Sequence, residues 1–387
     1  MAKSWLLTDV ASGKYLESLN LGPADAPGAP AGFAVKKQRL RGGLSDGVDT
    51  LEVSNGKISI LLLPTRGMSI AKIRSAAVEL GWKSPVRGPV HPAFVDLGEP
   101  SGLGWLDGFD ELFVRCGLES NGAPEHDEKG KLLWPLHGRI ANRPAQRVEL
   151  SIDDQGITVV GVVEESRFHF TKLRLTTTLR TKFGESGIQI QDTVENFSAS
   201  PGGMQLLYHI NFGQPLLDGG SRLALPAKTI VPRNPHAAAN LSTWDSYAAE
   251  QPGFEEQVYF FELLAGSDGQ TEAVLRNAHG TQGVSLRYPV KQLPCFSVWK
   301  NTTAGIDGYV TGLEPATNFP NPRSYEAAQK RVVPLAPGGK ATFDLRLDLL
   351  GTAGEVEQAE RRVAAIQGAT KPTIHSKPLA GWCAGAE

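Results

Sequence analysis

Cysteine is scarce: three residues, Cys116, Cys295 and Cys383, are spread over a chain of 387 and are odd in number. There is no C-x-x-C pair, so neither a disulfide framework nor a zinc site is expected, and no metal is assigned. A reducing compartment suits such usage. Charge of one sign is not in excess either. The 39 Lys and Arg against 41 Asp and Glu give a net charge of −2, too little to hold polyanions or acidic lipid, so nucleic acid and membrane are not expected partners. Long apolar runs are missing: the greasiest short stretch, Ile58 to Leu63, contains Ser59 and is far below membrane-spanning length. The opening residues MAKSWLLTD reach an acid before an apolar h-region can form, which points to the cytoplasm. No H-E-x-x-H occurs, and no nucleophile elbow is expected. The glycines Gly102, Gly104 and Gly108 in GLGWLDG lack the spacing and strand-to-helix context of a phosphate loop, so no nucleotide or other cofactor is called for.

What is present is β-sheet signal. Gly (43) and Pro (26) are abundant without a period, as many short strands joined by tight turns require. In TLEVSNGKISILLLP, Asn55-Gly56 lies between two β-like runs as a two-residue hairpin turn would. Between Ala145 and Phe197, four alternating runs (QRVELSI, ITVVGVV, KLRLTTTLRTKF, IQIQDTVENF) predict consecutive antiparallel strands. More such runs follow up to ATFDLRLDLL. Helical periodicity is confined to Gly354–Gly368, where Val356, Ala359, Val363 and Ile366 recur every three or four residues. The expected architecture is all-β, with residues 1–33 an N-terminal element and loop, 34–353 one large β-sandwich, and 354–387 a capping helix and tail.

Three segments carry more ionisable and glycine residues than a plain β core needs. The first is LHGRIANRP, with His137, Arg139 and Arg143; the second is LLYHINFG, with His209 and Asn211 in an apolar strand; the third is YVTGLEPATNFP, with Glu314 before a proline. Taken singly, His209 reads as a satisfied core histidine and Glu314 as a surface acid. Taken together and in this order, they resemble the aldose 1-epimerase (galactose mutarotase-like) family. The likeness runs from about Thr50 to about Leu350 and is greatest to a subgroup with LHGR-x-x-N-R and LYH-x-N-F-G.

That resemblance implies a β-supersandwich with few short helices and an enzyme, an isomerase that interconverts α and β anomers of a sugar through the open-chain aldehyde. Such chemistry needs a base at the C1 hydroxyl and an acid at the ring oxygen. By resemblance Glu314 is the base and His209 the acid, His137 bonds the sugar, and Arg143 or Arg139 grips hydroxyls. The family's sugar-binding aspartate has no secure counterpart, although Asp218 and Asp245 lie in the right interval. Asn211, Trp105, Asp110 and Trp299 are further candidates for contact, because aromatic faces stack on a pyranose and polar groups bind its rim. The alternatives are a non-catalytic sugar-binding or sensing protein, or another sugar reaction on this scaffold: that of an epimerase or a lyase, or glycoside cleavage with Asp110 or Glu111 as a second carboxylate. The expected partner is a small-molecule sugar, with a homo-oligomer open.

Overall fold

A computed structural model describes residues 3–26 and 28–386. Two large sheets dominate, one of ten strands and one of fourteen. The four clearest runs of the sequence are consecutive antiparallel strands of the ten-stranded sheet, Arg147–Ile152, Gly156–Ser166, Lys172–Lys182 and Gly187–Asn196. Their alternation places Val159, Val163, Leu175, Leu179, Ile190 and Val194 in one apolar core with Leu51, Ile60, Ile70 and Phe113 of the other sheet. The sheets approach so closely that a Cβ at Gly161 would lie 2.5 Å from the Met68 sulfur.

The predicted hairpin forms between Asp49–Asn55 and Ile58–Leu63. Its last facing pair outside the turn is Ser54 with Ser59, so the turn centres on Gly56 and Lys57, one residue later than the Asn-Gly reading. Asn55 explains the shift. Its Oδ1 accepts from the Lys57 and Ile58 amides at 2.9 Å, while its Nδ2 donates to Thr181 Oγ1 and Lys182 O across the sandwich. Gly56 takes the positive φ, 91°.

The late helix spans Ala353–Gln367 and starts with a capping box of Thr352 and Glu355. It buries Val356, Ala359 and Val363 against Val274 and Leu350. The terminal segments are woven into the sheets: Lys3–Asp9 pairs with Arg147–Ile152, and Thr373–Ile374 pairs in parallel with Ala227–Pro232. No helix among the described residues is long and apolar enough to cross a membrane.

The fourteen-stranded sheet positions the site through neighbouring strands: Phe113–Leu118, Gly202–Gly213, Val310–Ala316, Cys295–Asn301 and Gln257–Leu263. Successive side chains point to opposite faces. In Gly202–Gly213, Tyr208, Ile210 and Phe212 enter the inter-sheet core, which turns His209 and Asn211 to the other face. Register then decides their company. Asn211 faces Gly312, Ser297 faces Glu314, and Val258 faces Trp299, so the outer face of the sheet carries the polar set.

Candidate active site

On that outer face, His209 Nε2 lies 3.2 Å from Glu314 Oε1, both side chains almost wholly buried. They share the wall of a cavity of about 260 Å³ with Trp105, Phe109, His137 and Trp299, near the small end of the range for small-molecule sites. The His209 ring is ringed by aromatics: its centroid is 5.1 Å from Phe109, 5.5 Å from Trp299 and 6.0 Å from Trp105. Gly312 makes room for the pair, since a Cβ there would lie 2.6 Å from Glu314 Oε1 and 3.1 Å from the His209 ring.

The hydrogen bonds define the tautomer of His209. Asn211 Nδ2 donates to the carbonyls of Glu111 (3.0 Å) and His209 (3.2 Å), so its Oδ1 faces the ring and accepts from Nδ1–H at 2.6 Å. Nε2 is thereby left bare towards the carboxyl. Burial pushes the Glu314 carboxyl up to about 8; the charge of Glu256 adds to this and Arg233 opposes it. Burial, followed by neighbouring His137, holds the His209 imidazole well below its ordinary value, against the Asn211 hydrogen bond. The contact has the length of an ion pair, but both shifts favour the neutral forms. One proton therefore serves two groups, and the shifts favour it on the carboxyl.

His137 enters from a loop. It holds a left-handed backbone, φ 56°, followed by Gly138 at φ 73°, at a cost on the order of 1 kcal/mol. Its Nδ1 donates to Asn121 O at 3.0 Å, leaving Nε2 as an acceptor, and burial lowers it to about 4. Asn121 in turn exchanges two amide hydrogen bonds with Asn318, 2.9 and 2.8 Å, which ties the histidine loop to the chain just beyond Glu314.

Of the residues expected from sequence, His209, Glu314, His137, Trp105 and Trp299 meet at the cavity. The rest do not. Arg143 is exposed and Arg139 half-buried, and neither lines the cavity; Arg139 instead acts on the charge of Glu165. The arginine of the cavity is Arg233, joined to Glu256 at 3.2 Å, and Glu256 Oε2 also accepts from Trp299 Nε1 at 2.7 Å. Asn211 stands behind His209, its amide engaged by the imidazole and by two carbonyls, and it does not line the cavity. Asp110 lies outside the cavity, as do Asp218 and Asp245, and the acid at its mouth is Glu256. Glu111 is bound by the fully buried Arg66, which also holds Asn142 and donates to Gly108 O at 2.7 Å. The second carboxylate imagined for glycoside cleavage is thus not supplied by either acid of that loop.

Arg66, Arg233 and Glu256 had no signal in the sequence, because each lies far from the three motifs in a stretch with no pattern of its own. The run Gly43-Leu44-Ser45-Asp46-Gly47 matches G-x-S-x-G, yet it forms a short turn at the surface, Gly43–Ser45, and no strand-to-helix elbow.

A family model described as a domain of unknown function, DUF4432, matches residues 45–349. A crystal structure from Klebsiella pneumoniae, provisionally described as an aldose 1-epimerase, is similar over 98% of this chain and 100% of its own, with 36% identity and a TM-score of 0.94. The chain belongs to the DUF4432 family, within the aldose 1-epimerase-like superfamily. A galactose mutarotase-like protein from Clostridium acetobutylicum shares the fold with this DUF4432 protein at 15% identity and a TM-score of 0.58, over 84% of this chain and 100% of that one. So does a galactose 1-epimerase from Lactobacillus acidophilus, at 12% identity and 0.54, over 82% and 98%. No curated protein matches the sequence.

Proposed function

We propose that this protein interconverts the α and β anomers of an aldose, with His209 and Glu314 as its acid–base pair. The observation that carries the reading is the 3.2 Å approach of these two buried groups in the wall of an aromatic cavity. Mutarotation needs one group to take the C1 hydroxyl proton and another to give a proton to the ring oxygen. A pair holding a single proton can do both. The proton passes from Glu314 to His209 Nε2 as the sugar binds; the carboxylate removes the C1 hydroxyl proton, the bond from C1 to the ring oxygen breaks, and the imidazolium protonates that oxygen. Rotation about C1–C2 and the reverse transfers close the ring on the other face, restoring the pair.

The surrounding groups suit a sugar. Phe109 and Trp299 offer faces for the C–H surface of a pyranose, and His137 Nε2 can accept from a hydroxyl. Trp105 Nε1 is a buried donor with no partner within the described residues, and a bound hydroxyl would satisfy it. The test is polarimetry on freshly dissolved α-anomers of common aldoses. Acceleration over buffer is expected, with its loss in Glu314→Gln; a full panel relaxing at the buffer rate would remove the reading.

A further inference from the structure

Arg233 belongs to two cavities. Beyond the sugar cavity, a second hollow of about 560 Å³ opens where the chain after Ala227–Pro232 meets the C-terminal tail, with Asn234, Pro235, Ser376, Lys377 and Ala386 in its walls. Arg233 is the residue common to both linings. The tail is held there firmly. The His375 amide donates to Ile230 O at 2.9 Å, and Trp382 stacks on Phe319 with ring centroids 4.7 Å apart. Arg331 Nη1 donates to Gly381 O at 2.8 Å, and Asn321 grips Trp382 O and the Ala384 amide.

Among the described residues, the charged side chains that line this hollow are of one sign. Arg233 and Lys377 line it, and among the described residues no carboxylate does. Arg233 spends one N–H on Glu256, at 3.2 Å and half exposed, a pairing that costs little to give up. Its other guanidinium donors have no partner within the described residues, and Lys377 forms no ion pair with them. A planar fork beside a mobile point charge is the pairing that binds carboxylate or phosphate. Depth gives the direction: His209 and Glu314 are buried, whereas Arg233 is at the mouth, so a sugar with C1 inward would present its far end to Arg233.

We propose that the tail-walled hollow is a subsite for an anionic substituent carried by the sugar at the end remote from C1, held between Arg233 and Lys377. The inference rests on the adjoining cavity being the sugar site. Asn234 and Ser376 add neutral polar groups and Pro235, Pro378 and Ala238 add none, so the two cations dominate selection of the substituent, and the preference weakens as salt rises.

The test uses the full chain and anomer exchange measured by NMR for D-glucose, D-galactose, their uronic acids and their 6-phosphates. One anionic form is expected to exceed its neutral parent in kcat/KM by about tenfold or more, and the uronate and phosphate arms distinguish the two anions. Lys377→Ala, an exposed position that leaves folding intact, is expected to remove about three- to tenfold of that advantage through KM while the neutral parent changes less than about twofold. Arg233→Gln should remove more. Equal turnover of neutral and anionic sugars, unmoved by Lys377→Ala, overturns the subsite and leaves the mutarotase reading standing. If no sugar is turned over, the mutarotase reading fails instead, and calorimetric titration of the same sugars decides: tighter binding of an anionic form, weakened in Lys377→Ala, supports the subsite, and equal or absent binding overturns it.

Discussion

Asp192 and Glu314 are both buried carboxylates addressed by neighbouring residues of one strand, the first through Tyr208 and the second through His209. Asp192 stands in the core between the sheets and accepts from Arg115 at 2.5 and 3.1 Å, from the Tyr208 hydroxyl at 3.0 Å and from Thr177. Glu314, on the outer face, has among the described residues only the His209 nitrogen, at 3.2 Å, within contact distance, beside a largely aromatic wall. A carboxylate with every lone pair engaged is a fixed charge that fastens two sheets together. One with a single titratable neighbour in contact keeps a proton it can exchange. One residue of strand pleat separates the two roles.

The sharpest way to break this comparison is to neutralise each acid in turn. Glu314→Gln should lower anomer exchange by about 10²–10⁴-fold with no loss of thermal stability, whereas Asp192→Asn should cost about 3–5 kcal/mol of stability, because Arg115 stays buried without its charge partner. Polarimetry and thermal unfolding on both variants give the four numbers; a destabilised Glu314→Gln would contradict the contrast. Gly312→Ala should come next, since its Cβ falls 2.6 Å from the carboxylate and a misplaced base costs on the order of 10²-fold. A variant with unchanged kcat would show that the pair can shift without harm.

The pH dependence follows with its sign. In the unfolded chain Glu314 titrates near 4.5, and in the fold near 8. Below 4.5 it is protonated in both states and contributes nothing. Between the two values the unfolded chain loses the proton that the native state keeps, so native stability falls by up to about 1.4 kcal/mol per pH unit, and above 8 the deficit is constant. The stability gap favouring Glu314→Gln over wild type should therefore widen from about pH 5 to about pH 8 and then level off. Activity needs the singly protonated pair, so kcat/KM should fall as pH rises past about 8. The smallest effect is expected at Arg143→Ala and Arg139→Ala, which should stay within about twofold of wild-type kcat/KM, because neither side chain lines the cavity. A large loss at Arg143 would restore it to the site.

Much of the fold was legible because alternation is a local property: the four runs after Ala145 and the helix at Ala353–Gln367 needed no knowledge of their partners. His209 and Glu314 were legible because their motifs stand in a recognisable order. The arginine was misplaced for a physical reason. Reach across a cavity depends on which distant strands adjoin, and Arg233 and Glu256 arrive from strand ends that register alone brings beside Trp299. Asn211 shows the reverse error. Its position in the motif was right, but its amide is spent behind the imidazole.

The central claim, that His209 and Glu314 act as one proton-sharing unit on a sugar, is tested most directly by saturation-transfer NMR between α and β anomers. Wild type, His209→Gln, Glu314→Gln and the double variant would be compared on the same sugar. The account predicts catalysed exchange in wild type and equally deep losses in all three variants, since removing either partner disables the pair. Exchange retained in Glu314→Gln, or single losses that multiply in the double variant, would contradict it.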